Sequence, residues 1–152
     1  MSEHDIGVLR IREKHGWFVM KVMEGEGSPA FAYSFGLFEE FGHPEIIVFG
    51  LDLSLMHRLV NDIGDQAKNG NLYTDGTITE DLLEGFPCAF RRVNPLRYKE
   101  TCSWAAWFYA NAEFPVLQLI WPDKSGRFPW DTECNHSVRD WQPDLSAAPI
   151  SS

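Results

Sequence analysis

A chain of 152 residues is short for two domains but long enough to bury one core, and 44% apolar with 14% aromatic residues is the composition of a globular protein. The formal net charge of -9 argues against a nucleic-acid partner, because phosphates are held by basic surfaces. No apolar run reaches the length of a membrane span, and the start, Met1-Ser-Glu-His-Asp5, lacks the basic residues and apolar stretch of an export signal.

The sequence therefore predicts a cytoplasmic protein with no membrane association. Its three cysteines, Cys88, Cys102 and Cys134, are odd in number and form no CxxC pair, so reduced thiols are expected.

Residues 1–6 are polar and read as a frayed start. Trp17 to Met23 reads as a strand, Glu24 to Pro29 as a turn, and Ala30 to Leu37 as a second strand completing a hairpin. Phe41 to Pro44 is another turn. Glu45 to Leu51 is an apolar run with the look of a central strand. Ser54 is placed to cap a helix whose apolar face carries Leu55, Leu59 and Ile63, and Asn69-Gly70 stops it.

Residues 71–85 are polar and read as loop with room for one short strand. Phe86 to Val93 is strand-like although Pro87 weakens its start. Tyr98 to Ala112 reads as a second helix, apolar on most faces and hence buried. Val116 to Trp121 alternates weakly, as a strand buried on both faces does. From Trp141 onward, Pro, Ser and Ala mark an irregular tail. The order β-β-β-α-β-α-β predicts an α+β fold in one domain, a mainly antiparallel sheet with two principal helices. Its core is expected from Val48, Phe49, Leu59, Ile63, Trp104, Phe108, Leu117 and Leu119.

The richest stretch for function is the corner after the last strand, Trp121-Pro-Asp-Lys-Ser-Gly-Arg-Phe-Pro-Trp-Asp131. Pro122 and Pro129 stiffen it, and Gly126 supplies a positive φ. Asp123, Arg127, Trp130 and Asp131 are then held out with little entropy left to lose on binding. Trp130 is the expected apolar anchor, while most other aromatics, Trp104, Trp107 and Phe108 among them, are needed by the core. The plainer reading makes both aspartates caps of the turn and folds Trp130 back onto the core.

His43-Pro44-Glu45 puts an imidazole and a carboxylate at the entrance of the central strand, where acid–base groups are often found. The plainer reading has His43 cap a turn and Glu45 accept backbone hydrogen bonds. Tyr33-Ser34 beside Gly36 suggests either a bulge or a close approach by a ligand. Cys134-Asn-His136 is one close Cys–His pair, short of the four ligands of a zinc site, and no metal or cofactor is expected. Arg91-Arg92 and Arg97 to Lys99 form the densest basic stretch, too small for nucleic acid. Walker, GxSxG and HExxH patterns are missing.

Gly16-Trp17, Phe31-Ala-Tyr-Ser-Phe-Gly-Leu37, Gly42-His-Pro-Glu45, Phe49-Gly-Leu51, the region of Gly70, Gly85-Phe-Pro87, Leu117-Gln118, Trp121-Pro-Asp123 and Gly126-Arg-Phe-Pro-Trp-Asp131 occur in one order. In this the chain resembles a bacterial family catalogued as domain of unknown function 4262, from about Lys14 to Pro143. Ser34 stands where that pattern has Thr and keeps the hydroxyl. The resemblance implies a fold and a bacterial origin but no mechanism.

The expected function is a non-catalytic binding module that recognises a protein partner through an acidic aromatic surface, an immunity- or antitoxin-like role being one form. Its candidate residues are Tyr33, His43, Glu45, Trp121, Asp123, Arg127, Trp130 and Asp131. The alternative is a small cytoplasmic enzyme, flavin-dependent or hydrolytic, using His43, Glu45 and Asp123. The sequence carries no signal for an oligomeric state.

Overall fold

Two apolar runs joined by Gly-Ser-Pro chemistry form the expected hairpin, β1 (Phe18–Val22) against β2 (Phe31–Phe35), with Met20 opposite Tyr33. The computed structural model describes residues 2–25, 27–109 and 113–146. β3 (Glu45–Phe49) is buried along its whole length, as its unbroken apolar run predicts. β4 (Ile78–Leu83) fills the stretch read as mostly loop and turns at Glu84-Gly85 into β5 (Phe86–Arg92). β6 (Val116–Ile120) is again buried at every position.

Among the described residues these strands make one six-stranded sheet, ordered β1-β2-β3-β6-β5-β4. All neighbours are antiparallel except β3 and β6, which run parallel with Glu45 opposite Val116 and Val48 opposite Leu119. A parallel pair requires a crossover. Here it carries a long helix, the β4–β5 hairpin and two short helices.

The long helix is α3 (Leu53–Lys68), following the short α2 (Leu37–Phe41). Its cap is Asp52 rather than Ser54: the Asp52 carboxylate accepts from the N–H groups of Ser54 at 3.1 Å and Leu55 at 3.3 Å. The helix expected over 98–112 is two pieces, α4 (Tyr98–Thr101) and α5 (Ser103–Tyr109), broken at Cys102 where φ is -122° and ψ 58°. The Tyr33 hydroxyl accepts from the Trp104 N–H at 3.0 Å, so a side chain of the sheet satisfies a donor that helix continuity would otherwise have used. Residues 110–112 of that expected helix lie outside the described residues.

The start expected to fray is helical: α1 (Glu3–His15) begins in a capping box between Ser2 and Asp5. Only Val8 and Arg12 of α1 are buried, so no apolar stripe announces it. Arg12 ties it down, reaching Glu39 at 3.1 Å and Glu40 at 3.7 Å and lying 5.2 Å over the Phe108 ring. A final helix, α6 (His136–Trp141), precedes the irregular segment expected from about Gln142.

Alternation along the central strands sends side chains to two cores. Ile46, Val48, Leu117 and Leu119 meet Met56, Leu59 and Ile63 of α3 on one face. Tyr33, Ile47, Phe49 and Val116 meet Tyr98, Cys102 and Ala105 on the other. Six of the eight predicted core residues are buried, and Trp104 and Phe108 are half-buried against the second core.

Candidate functional site

The two parallel strands end side by side, and the segments leading away from them form a cleft. Beyond β3 the chain continues through Gly50, Leu51 and Asp52; beyond β6 it continues through Trp121, Pro122 and Asp123. Gly50 has φ +83°, and a β-carbon there would stand 2.6 Å from the Trp141 carbonyl oxygen. Glycine is thus required twice over, for its backbone and for the close approach of α6. Trp121 forms the floor: it is 7% exposed, and its indole N–H donates to the Phe49 carbonyl at 2.7 Å. Trp141, 51% exposed, lies 6.4 Å from it between centroids, and Phe86 at the β4–β5 turn is 37% exposed.

With Leu51, Leu55 and Val138 these aromatics line a cleft of about 530 Å³. A second hollow of about 650 Å³ shares Leu51 and Trp141 with it and is lined by Glu24, Asp52 and Asp140. Crevices beyond the carboxyl ends of parallel strands are where open sheets bind ligands, and apolar hollows with a few polar groups are the usual form of a recognition site. Phe86 and Trp141 carry no local sequence signal for this role, since each is brought to the cleft by long-range packing.

The corner from Trp121 to Asp131 is built as its turn chemistry predicts, with Gly126 at φ +83°. Its charges are used internally. Asp123 accepts from the N–H groups of Ser125 and Arg127 at 2.9 Å each and of Asn135 at 3.2 Å. These donors, Arg127 foremost, hold its carboxyl below the usual range. Asp131 accepts from the Glu133 N–H at 3.0 Å, and Arg127 pairs with Glu133 at 3.5 Å.

Trp130 is 45% exposed, stacked on Phe128 at 4.8 Å, with the Arg91 guanidinium 3.9 Å from its ring centre. It lines a hollow with Arg91 and Ile120, which point to the sheet face opposite that of Phe90 and Trp121. The corner therefore divides, Trp121 and Asp123 to the cleft and Trp130 to the other face.

His43 and Glu45 lie at the far end, and Tyr33 sits in mid-sheet opposite Ile47. Glu45 faces Val116 at the start of β6, whereas Asp123 follows its end. The Glu45 carboxylate is buried and accepts from the Ser34 hydroxyl at 2.8 Å, from the N–H groups of Gly36 at 2.9 Å and of Leu37 and Phe38 at 3.2 Å, and from the Tyr109 hydroxyl. Three of these donors are free N–H groups at the start of α2, so Glu45 closes that helix from the neighbouring strand. Burial pushes its carboxyl up, and the donors oppose this only in part.

His43 is fully buried beside Tyr73, which packs against the first core. Its Nδ1 donates to the Pro44 carbonyl at 2.7 Å, and its Nε2 accepts from the Tyr73 N–H at 3.1 Å. Burial lowers its pKa, and both nitrogens are occupied. Tyr33, 2% exposed, is the core hydroxyl that receives Trp104.

The cysteines are buried and unbonded; burial pushes Cys88 up to about 11 and Cys102 up to about 12, far from thiolates at neutral pH. Cys134 lies against the Arg127 and Asn135 carbonyls at 3.5 and 3.6 Å. Among the described residues no cluster of three or more His, Cys, Asp or Glu is arranged to hold a metal, and no helix is long and apolar enough to cross a membrane.

A family model with the description domain of unknown function (DUF4262) matches residues 11–135, which include β1 to β6 and stop short of Trp141. No curated protein and no solved structure matches the chain.

Proposed function

The chain belongs to the family described as domain of unknown function (DUF4262), and we propose that it is a non-catalytic module that recognises a protein partner through the cleft beyond β3 and β6. One observation carries this reading. Two large aromatics, Trp141 and Phe86, stand 51% and 37% exposed on the rim of an apolar hollow floored by a third, Trp121. Exposed aromatics around a pre-formed apolar hollow are the usual anchors of an interface. The three unbonded thiols fit a reducing compartment, and we place the protein in the cytoplasm.

The enzyme alternative needs His43, Glu45 and Asp123 in one place. His43 meets Tyr73, which packs against the first core, Glu45 meets Tyr109, which packs against the second, and Asp123 sits beyond the other end of the sheet. Each also has its hydrogen-bonding capacity taken by the backbone around it.

The test is capture from cells with the wild-type chain and with a Phe86→Ser/Trp141→Ser variant as baits, followed by calorimetry with the purified captured protein. The complex should weaken by at least about tenfold in the variant while its circular dichroism stays native. Equal affinity for both baits would sink this reading.

A further inference from the structure

We infer that the segment recognised in this cleft carries a Lys or Arg side chain next to an aromatic or branched aliphatic one. This rests on the cleft reading above and adds the chemistry of the occupant.

The two hollows adjoin and differ in character, with Leu51 and Trp141 lining both. The first is walled mainly by Trp121, Phe86, Leu55 and Val138, with Asp123 and Lys124 also in its lining. The second carries three carboxylates, Glu24, Asp52 and Asp140, and no Lys or Arg among the described lining residues.

Those carboxylates are available. None of the ion pairs among the described residues involves Glu24 or Asp140. Among the described residues Asp52 accepts only through Oδ2, in capping α3. Like charges gathered around an apolar surface repel one another until a cation arrives. A basic side chain laid across Trp141 satisfies them, its aliphatic stem covering the indole and its head reaching the acidic side. An apolar neighbour in the same segment then fills the hollow over Trp121.

The net charge of -9 steers a basic partner to the protein and turns an anionic one away. A polyamine would satisfy only the acidic half, and a purely apolar segment only the other. A segment carrying both side chains uses both hollows.

The test is selection of random displayed peptides on the full chain, with Phe86→Ser/Trp141→Ser as counter-selection. Selected peptides are then titrated by fluorescence anisotropy at low and high salt, and against Glu24→Lys/Asp140→Lys. Both of those residues are exposed, so the fold should be kept. The expected peptides pair a basic with an apolar residue, weaken at high salt, and lose at least about tenfold in affinity on either double variant. Peptides that need Phe86 and Trp141 but lack basic residues, or ignore both salt and the charge reversal, overturn this inference and leave the cleft reading standing. Spermidine competing as well as the peptides also overturns it. If no peptide prefers the wild type to the Phe86→Ser/Trp141→Ser variant, both fall.

Discussion

The Ser34 hydroxyl joins β2 to β3 in two senses at once: it donates to Glu45 Oε1 at 2.8 Å and accepts from the Ile46 N–H at 2.9 Å. The backbone ladder between these strands ends at the Tyr33–Ile47 pair, and the side chain carries it one step further. Both residues are buried, so an alanine at position 34 strands a backbone donor and removes one support of a buried carboxylate. Ser34→Ala should cost about 1–3 kcal/mol in urea titration. Ser34→Thr keeps the hydroxyl and should cost clearly less. A loss under about 0.5 kcal/mol for Ser34→Ala, as at an ordinary surface site, would show that water or a neighbour replaces the hydroxyl.

His43 gives stability a pH dependence of known sign. Its folded pKa lies below the ordinary value of about 6.5, because burial disfavours the charged ring. A depressed pKa contributes stability that is present above the unfolded value and is lost as pH falls through the folded one. Protonating Nε2 would also set two donors face to face, the ring and the Tyr73 N–H. The advantage of the wild type over His43→Gln should therefore shrink as pH is lowered from about 6.5. Urea titrations across that range check it. A constant gap would mean that folding leaves the ring's pKa unmoved, and a widening one that folding raises it.

Five of the six strands, and α3, are legible in the sequence because their signals are local: apolar runs, turn residues and a helical stripe. α1 and α6 are not, since each is mostly polar and starts from a cap, Ser2 with Asp5 in one and Asn135 in the other. The cap of α3 falls on Asp52 and not on Ser54, a choice that residue type alone does not make because both suit that role. The parallel pairing of β3 with β6 joins segments separated by two intervening strands in the chain, which no local pattern encodes. That pairing sets Leu51 beside Trp121 and so makes the cleft. Pro and Gly mark the Trp121 to Asp131 corner in the sequence, but its division between two sheet faces depends on what it packs against.

Leu117 tests the centre of the sheet. It is 3% exposed on β6, between Ile46 of β3 and Arg92 of β5. Leu117→Ala should cost about 2–5 kcal/mol through lost burial and the cavity left behind. Leu96, at 72% exposed, is the control, and its change to Ala should stay within about 0.5 kcal/mol. Similar losses at both positions would mean that β6 is not central to the core.

Gly50 and Gly126 share φ +83° but differ in surroundings. A β-carbon at Gly126 meets nothing within 4 Å, whereas one at Gly50 runs into Trp141. Gly126→Ala should cost only the left-handed backbone penalty, about 1–2 kcal/mol. Gly50→Ala adds overpacking and should reach about 2–5 kcal/mol. It should also displace Trp141 and weaken binding at the cleft. Equal costs in urea titration would mean that α6 does not press on Gly50.

Trp130 decides which face of the corner recognises a partner. Asp123 is the wrong residue for that question, because its carboxylate organises the turn through three backbone donors and Asp123→Ala loosens the whole corner. Trp130 is 45% exposed, stacked on Phe128 with the Arg91 guanidinium over its ring. Trp130→Ala should therefore cost no more than about 1 kcal/mol, the scale of an exposed cation–π contact. Trp121 and the cleft lie on the opposite face, so the same change should leave peptide affinity there within about twofold, an effect too small to mark a hot spot. Anisotropy titration of Trp130→Ala beside Trp141→Ala makes the comparison. If the Trp130 change abolishes binding with circular dichroism intact while the Trp141 change does not, recognition belongs to the Arg91 face and the cleft loses its role.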